Sequence, residues 1–250
     1  MRCAPDASSI RTISPTEPAR ARRSVEPMGS MRQMTQKVTI VIPAFNEGET
    51  IARIVQGVRP YASEVVVVDD GSSDATAAEA ERAGAVVVRH GVNGGYDASL
   101  NDGFAEAIGR GADIVVSFDA DGEHRAEDVP RIIAPIATGS ADVVAAQRQG
   151  MGSFAEKVFA LYTHAAWGIR DPLCGFKAYR RAVYERFGRF DTLRSIGTEL
   201  MLRAVRADFR LATIPIERRA RADISRFYVR RLRGNLRILR AMGRVMWAVR

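Results

Sequence analysis

Ile114-Val115-Val116-Ser117-Phe118-Asp119-Ala120-Asp121-Gly122-Glu123-His124 is a short apolar run that ends abruptly on acids. So continuous a run suits a strand covered on both faces rather than one with a wet side. Two similar runs lie upstream: 38–42 ends at Pro43, and 64–68 closes on Asp69-Asp70-Gly71. Helical spacing follows over 47–58, and an Ala-rich helix is predicted near 73–83. A third strand is expected over 85–88 and a third helix over 96–108, with further strands at 142–146 and 211–214. Between the last two the pattern turns helical and less regular. Strands alternating with helices imply an α/β fold, a mostly parallel sheet with helices on both faces. Ligands of such sheets bind beyond the carboxyl ends of the strands. Three ends here carry acids or amides, at Asn46-Glu47, Asp69-Asp70 and Asp119–Asp121.

The chain has 250 residues, 46% apolar and 26% charged, enough for one sizeable core and too apolar for global disorder. No apolar run approaches the ~20 residues that span a bilayer. The basic N-terminus lacks the apolar stretch of a signal peptide. Cys3 and Cys174 are too few for a disulfide framework or a cysteine zinc site. The expectation is a soluble, cytoplasmic protein. Its net charge of +8 is uneven: +4 over 1–37, −6 over 38–217, and +10 over 218–250, where eleven arginines face one acid, Asp223. We therefore expect a disordered leader at 1–36, a domain over 37–226, and a basic tail at 227–250. In the tail Val229, Leu232, Leu236, Leu239, Gly243 and Met246 recur every three or four residues, with Arg230, Arg231, Arg233, Arg237, Arg240 and Arg244 between them. This describes a basic amphipathic helix ending near Trp247. It either lies on an anionic membrane surface or docks on its own domain with a solvated basic face. Nucleic acid is disfavoured, because the body is acidic and no binding motif is present.

Two carboxylates one residue apart at a strand end, Asp119 and Asp121, can share a hard divalent cation whose other ligands are phosphate oxygens and water. Such a cation neutralises a diphosphate leaving group. A lone acidic turn is normally just solvated; the neighbouring acidic strand ends favour the metal reading. After the second strand, Gly71 permits a turn and Ser73 or Asp74 can cap the next helix, leaving Asp70 for a base or ribose. Neither G-x-G-x-x-G nor a Walker A loop follows the first strand, which argues against a dinucleotide dehydrogenase or P-loop ATPase.

VTIVIPAFNEGETI (38–51), VVVVDDGSSDAT (65–76) and IVVSFDADGEH (114–124) together resemble the family 2 glycosyltransferases of GT-A (Rossmann-like) fold. DPLCGFKAYRR (171–181) and the segment 214–226 are similar to the dolichyl- and polyprenyl-phosphate sugar transferases. The resemblance implies that Pro43, Phe45 and Glu47 hold the nucleotide and that Val68 and Asp70 contact base and ribose. It further implies that Asp119, Ala120 and Asp121 bind the nucleotide diphosphate and Mg2+ or Mn2+, with Glu123 as a third metal ligand. His124 reads as a helix-entry residue. Arg148 matches an arginine near the donor or acceptor phosphate, and Cys174 stands where Ser or Thr is usual, as a packing residue. The family's R-x-x-G-x-S-K signature is altered: its Arg falls on Arg221, its Lys becomes Arg226, and its Gly is missing. Tyr96 and Asp97 occupy a place where relatives often carry a basic residue, which implies a lost phosphate contact.

The implied activity is metal-dependent, inverting transfer of a sugar from a GDP- or UDP-sugar to a polyprenyl phosphate, at the inner face of the cell membrane. A sugar hydroxyl acceptor is an alternative and would need a general base, for which Glu199 and Asp171 are candidates. A sugar-1-phosphate nucleotidyltransferase is disfavoured, since PAFNEGE (43–49) stands where its Gly-rich basic loop belongs. A non-catalytic membrane-surface module is the other alternative.

Overall fold

The computed structural model describes residues 36–149, 153–217 and 231–248, with backbone alone at 231–233. The expected leader (apart from residue 36), the loop carrying Arg221 and Arg226, and Val229 lie outside the described residues. Among the described residues seven strands form one sheet: β1 (Val38–Ala44), β2 (Glu64–Asp69), β3 (Val86–Arg89), β4 (Ile114–Ser117), β5 (Val143–Arg148), β6 (Lys177–Arg180) and β7 (Leu211–Ile216). Their order is β3-β2-β1-β4-β6-β5-β7. All neighbours are parallel except β6, which runs antiparallel to both β4 and β5. The sheet is thus mostly parallel, as expected, and β6 is a strand that the sequence pattern did not show.

The buried strands alternate between two cores. Ile40, Ile42, Val65 and Val67 pack beneath α1 (Ile51–Val58), α2 (Thr76–Arg82) and α4 (Val129–Ala137). Val41, Val66 and Val68 face the layer of α3 (Tyr96–Gly109), α5 (Phe154–Trp167), α6 (Arg181–Phe187), α7 (Glu199–Arg206) and α8 (Arg231–Ala248). Helix α3 sits close to the sheet because residue 103 is glycine: a Cβ there would press on Val41 and stand 3.0 Å from Val68 Cγ2.

Helices α1 and α2 begin three to four residues later than predicted, because the preceding residues bolt two strand ends together. Asn46, in the left-handed region at φ 53°, accepts the Ser73 N–H at 2.9 Å and donates its own N–H to Ser72 Oγ at 2.9 Å. Glu47 N–H reaches Thr76 Oγ1 at 2.8 Å, and Gly48 N–H reaches Asp74 Oδ2 at 3.0 Å. Asp74, one of the two expected caps, accepts the Thr76 N–H at the start of α2.

Helix α8 is docked rather than a free tail, and its inward face differs from the expected stripe. Ile238, Ala241 and Val245 are buried, while Leu236 and Trp247 are exposed and Leu239 and Met246 half-buried. The helix carries apolar residues on more than one side. The chosen face is the one whose spacing of three and four brings Ile238, Ala241 and Val245 inward where α8 packs on α5.

A candidate active site at the carboxyl edge of the sheet

Strand order reverses between β1 and β4, so the crevice of an open α/β sheet opens at their carboxyl ends. Antiparallel β6 adds a loop to that edge. Ser117 at the end of β4 pairs with Lys177 at the start of β6, and Ser117 Oγ donates to the Gly175 carbonyl at 2.6 Å. The 171–176 segment is thereby delivered beside Asp119. The fit is close: a Cβ on Gly175 would stand 2.6 Å from the Asp119 carboxylate carbon.

Asp119 is held from two further sides. Tyr96 donates its hydroxyl to Oδ1 at 3.0 Å, and His124 Nε2 donates to Oδ2 at 3.1 Å. Burial works against ionisation of this carboxyl, but the His124 hydrogen bond and charge, the Tyr96 hydroxyl and the field of Arg148 outweigh it and hold the group below its ordinary range. The Tyr96 phenol moves the opposite way, raised well above its usual value by burial and by Asp119. It stays a hydroxyl and a donor. His124 is buried between Phe118 and Phe176, with ring centroids 5.7 and 5.4 Å away. It is therefore a built partner of Asp119, which corrects its reading as a helix-entry residue. Tyr96 fills the place of the expected lost phosphate contact with a contact to the acid itself. The Tyr96 partner is not legible locally, since it lies 23 residues before Asp119, whereas His124 stands five residues after it in the same stretch.

Asp121 Oδ1 accepts the Glu123 N–H at 2.9 Å, closing a tight turn over Gly122. Among the described residues no three His, Cys, Asp or Glu side chains stand together as a cation site. Glu123, buried at 5% exposure, is thus not gathered with two other such side chains as the expected third ligand would be. Asp119 and Asp121 remain the pair suited to a hard cation. An anionic carboxylate whose side chain is 23% exposed, at a crevice cradled by glycine, fits the mode in which Mg2+ or Mn2+ takes one or two carboxylates and completes its shell with phosphate and water.

The remaining expected residues divide. Phe45 is 38% exposed at the end of β1, with Pro43 and Glu47 half-buried beside it. Glu47 Oε2 also accepts the Thr50 hydroxyl at 2.8 Å. Val68 is fully buried under α3, so its side chain is packing, and Ala120 is buried too. Asp70 is occupied by the 93–95 turn: Oδ1 accepts the Gly94 N–H at 2.8 Å and meets His90 Nδ1 at 2.7 Å, and Oδ2 accepts the Gly95 N–H at 2.8 Å. Its carboxylate positions a loop instead of standing open to a ribose. Arg148, at the end of β5, forks onto Asp171 through Nε at 2.8 Å and Nη2 at 2.9 Å. Cys174 is fully buried and its thiol is pushed up to about 12 by burial and by Asp171, which makes it the inert packing residue expected.

Both base candidates are committed elsewhere. Asp171 holds Arg148. Glu199, also buried, accepts the Thr192 N–H and hydroxyl at 2.5 and 2.7 Å and the Leu193 N–H at 2.9 Å, with Arg203 Nη2 at 2.7 Å. It ties the 191–195 loop to α7 and is not a surface residue. Lys177, an unexpected buried cation, donates to the carbonyls of Cys174 at 2.5 Å and Gly197 at 3.1 Å, joining the two loops that flank the crevice.

His124→Ala should move the acid limb of the pH–rate profile upward. Without the imidazole, burial dominates and the Asp119 carboxyl rises, so its ionised fraction falls at any given acidic pH. A pH profile of kcat/KM that is unmoved would separate His124 from Asp119. Tyr96→Phe should shift the limb the same way by less.

A family model, glycosyl transferase family 2, matches residues 39–188. A polyprenol monophosphomannose synthase of Mycolicibacterium smegmatis is 30% identical over 206 residues, covering 73% of this chain and 77% of that protein. An undecaprenyl-phosphate 4-deoxy-4-formamido-L-arabinose transferase of Serratia proteamaculans is 32% identical over 171 residues, 60% of this chain and 51% of its own length. Among solved structures, glucosyl-3-phosphoglycerate synthase from Mycobacterium tuberculosis, crystallised with Mn2+, uridine diphosphate and glucosyl-3-phosphoglycerate, superposes with a TM-score of 0.66 at 21% identity. That match covers 85% of this chain and 81% of the other, and it bears on the fold. With a sheet edge of this design and a family match over most of the domain, the chain belongs to glycosyl transferase family 2 and has the GT-A fold.

Proposed function

We propose that the protein transfers a sugar, with inversion, from a UDP- or GDP-sugar to a polyprenyl phosphate. The observation that supports the acceptor class is that both carboxylates offered as a general base are already committed. Asp171 is forked onto Arg148 and Glu199 accepts from Thr192, Leu193 and Arg203, so neither is placed to take a proton. A phosphate monoester is already anionic near neutrality and needs none, whereas a sugar hydroxyl does. The relatives named for polyprenol and undecaprenyl-phosphate substrates support the same reading.

Asp119 and Asp121 would hold Mg2+ or Mn2+, which when bound supplies positive charge to the leaving nucleoside diphosphate. Tyr96 and His124 keep Asp119 ionised and oriented for that task. Phe45 offers an exposed ring for the base, with Pro43 and Glu47 shaping the pocket. Arg148 contributes its field across the edge, and Arg221 and Arg226 are assigned to the phosphates. The acceptor oxygen attacks the anomeric carbon as the bond to diphosphate breaks.

No helix among the described residues is long and apolar enough to cross a membrane. Exposed Phe154 and Leu161 on α5, with Leu236 and Trp247 on α8, provide apolar contacts for a peripheral anionic surface at the inner face of the cell membrane. Incubating the protein with radiolabelled nucleotide sugars, polyprenyl phosphate and Mg2+ should yield one labelled lipid on thin-layer plates. Label moving only to free sugars or to soluble hydroxyl acceptors would overturn the acceptor assignment.

A further inference from the structure

A cleft of about 1000 Å³ opens between the 93–95 turn, the 189–194 segment and helix α8. Arg189, Arg194, Arg237, Arg240 and Arg244 all line it. The last three recur at i, i+3 and i+7, so one flank of α8 carries the charge, and burial of Ile238, Ala241 and Val245 fixes the rotation that presents it. Two acids also line the cleft, Asp97 within the field of Arg237, and Asp191, so five arginines stand against two carboxylates. Asp97 is buried and accepts the N–H groups of Ile196 at 3.3 Å and Gly197 at 2.7 Å. Asp191 is likewise buried and accepts from Leu193 N–H at 3.0 Å and Ser195 N–H at 3.1 Å. Among the described residues, Arg189, Arg194, Arg240 and Arg244 enter no ion pair. Guanidinium groups gathered in one concavity repel each other and focus a positive potential, which an anion relieves.

The cleft is distinct from the aspartate centre but adjoins it. Tyr96 lines the cleft while its hydroxyl reaches Asp119. The Gly94 and Gly95 N–H groups are already taken by Asp70, so recognition of an anion falls to the arginines.

We propose that this cleft is a second anion site, which takes a phosphate-bearing ligand through forked arginine–phosphate hydrogen bonds. Its volume exceeds what a bare phosphate needs and lies at the upper end of small-molecule pockets, ~300–1,000 Å³. The ligand is thus a phosphate with an organic body, either a dissolved phosphomonoester or a lipid headgroup. Leu236, which lines the cleft and is 47% exposed, is an apolar neighbour for a lipid-borne phosphate. The site needs neither sugar donor nor metal, so it stands or falls separately from the transfer reaction.

The test uses the full chain in EDTA, which silences the metal centre. Glycerol 3-phosphate is titrated calorimetrically, and sedimentation measures binding to phosphatidylcholine vesicles with and without phosphatidylglycerol. Wild type should bind one probe or both, and Arg189→Gln/Arg240→Gln/Arg244→Gln should weaken that binding roughly tenfold or more. A charge-matched variant on other surfaces, Arg82→Gln/Arg89→Gln/Arg131→Gln, should stay within about twofold, as expected for screened surface charges. Arg240→Gln alone should weaken binding severalfold at an unchanged melting temperature, since Arg240 makes no side-chain hydrogen bond among the described residues; this keeps the test decisive if the triple variant folds poorly. Binding of glycerol 3-phosphate identifies a dissolved ligand. Binding of phosphatidylglycerol vesicles alone, weakened by Leu236→Ser, identifies a headgroup. If wild type binds neither probe, or the charge-matched variant loses as much as the cleft variant, the site is overturned.

Discussion

Asp121→Asn should lower kcat for sugar transfer by about 10³-fold with no loss of fold. Asparagine keeps an acceptor oxygen for the Glu123 N–H and therefore the turn, while the carboxylate charge is removed. Preorganised charge at a leaving group is worth ~10²–10³ in rate for a single contact, and a cation adds several kcal/mol more. Asp119→Asn should be similarly damaging, and the double variant barely worse than either, because on the proposed reading the two carboxylates serve one cation and act as a unit. Metal titration, turnover and circular dichroism on all three proteins check this. Near-normal turnover in folded Asp121→Asn would remove the pair from the chemistry.

Gly175→Ala should cost about 10²-fold in turnover and ~1–3 kcal/mol in stability, an unusual outcome for the smallest possible substitution. The added Cβ would lie 2.6 Å from the Asp119 carboxylate carbon, so either the carboxylate or the 171–176 loop has to move. Displacement loosens the Tyr96 and His124 contacts that hold Asp119 ionised. Gly109→Ala is the contrast: a Cβ meets nothing within 4 Å at the end of α3, and the change should be neutral or stabilising by up to ~1 kcal/mol. Equal melting temperatures and equal rates for the two variants would show that the cradle is not tight in solution.

How much of this was written locally depends on the element. β1, β2 and β4 are readable because a strand covered on both faces has to be apolar at every position, and an acid at its end then stands out. The Asp119–Asp121 pair follows from that rule, whereas the edge strands β3 and β7 show as apolar runs although they are only partly buried. β6 escapes it. Lys177-Ala178-Tyr179-Arg180 reads as polar, yet Lys177 and Tyr179 are buried, the lysine satisfied by carbonyls at positions 174 and 197. Its antiparallel direction, which brings Gly175 to Asp119, is a property of pairing and not of composition.

The sequence by itself determined the α/β class, the acidic edge and the basic charge of α8, since each depends on residue type and short-range period. Only the tertiary structure decided which face of α8 turns inward, which residues hold Asp119, and which carboxylates are already spent. Ile238, Ala241 and Val245 are buried because α8 packs on α5 through that face, although Leu236, Leu239 and Met246 also recur at helical spacing. Asp70, Asp171 and Glu199 look as available in the sequence as Asp119, but Asp70 and Asp171 meet donors more than 20 residues away and Glu199 is taken up by the loop that folds back before its helix. A carboxylate's role is set by its hydrogen-bond partners and burial, and chain closure in three dimensions supplies both.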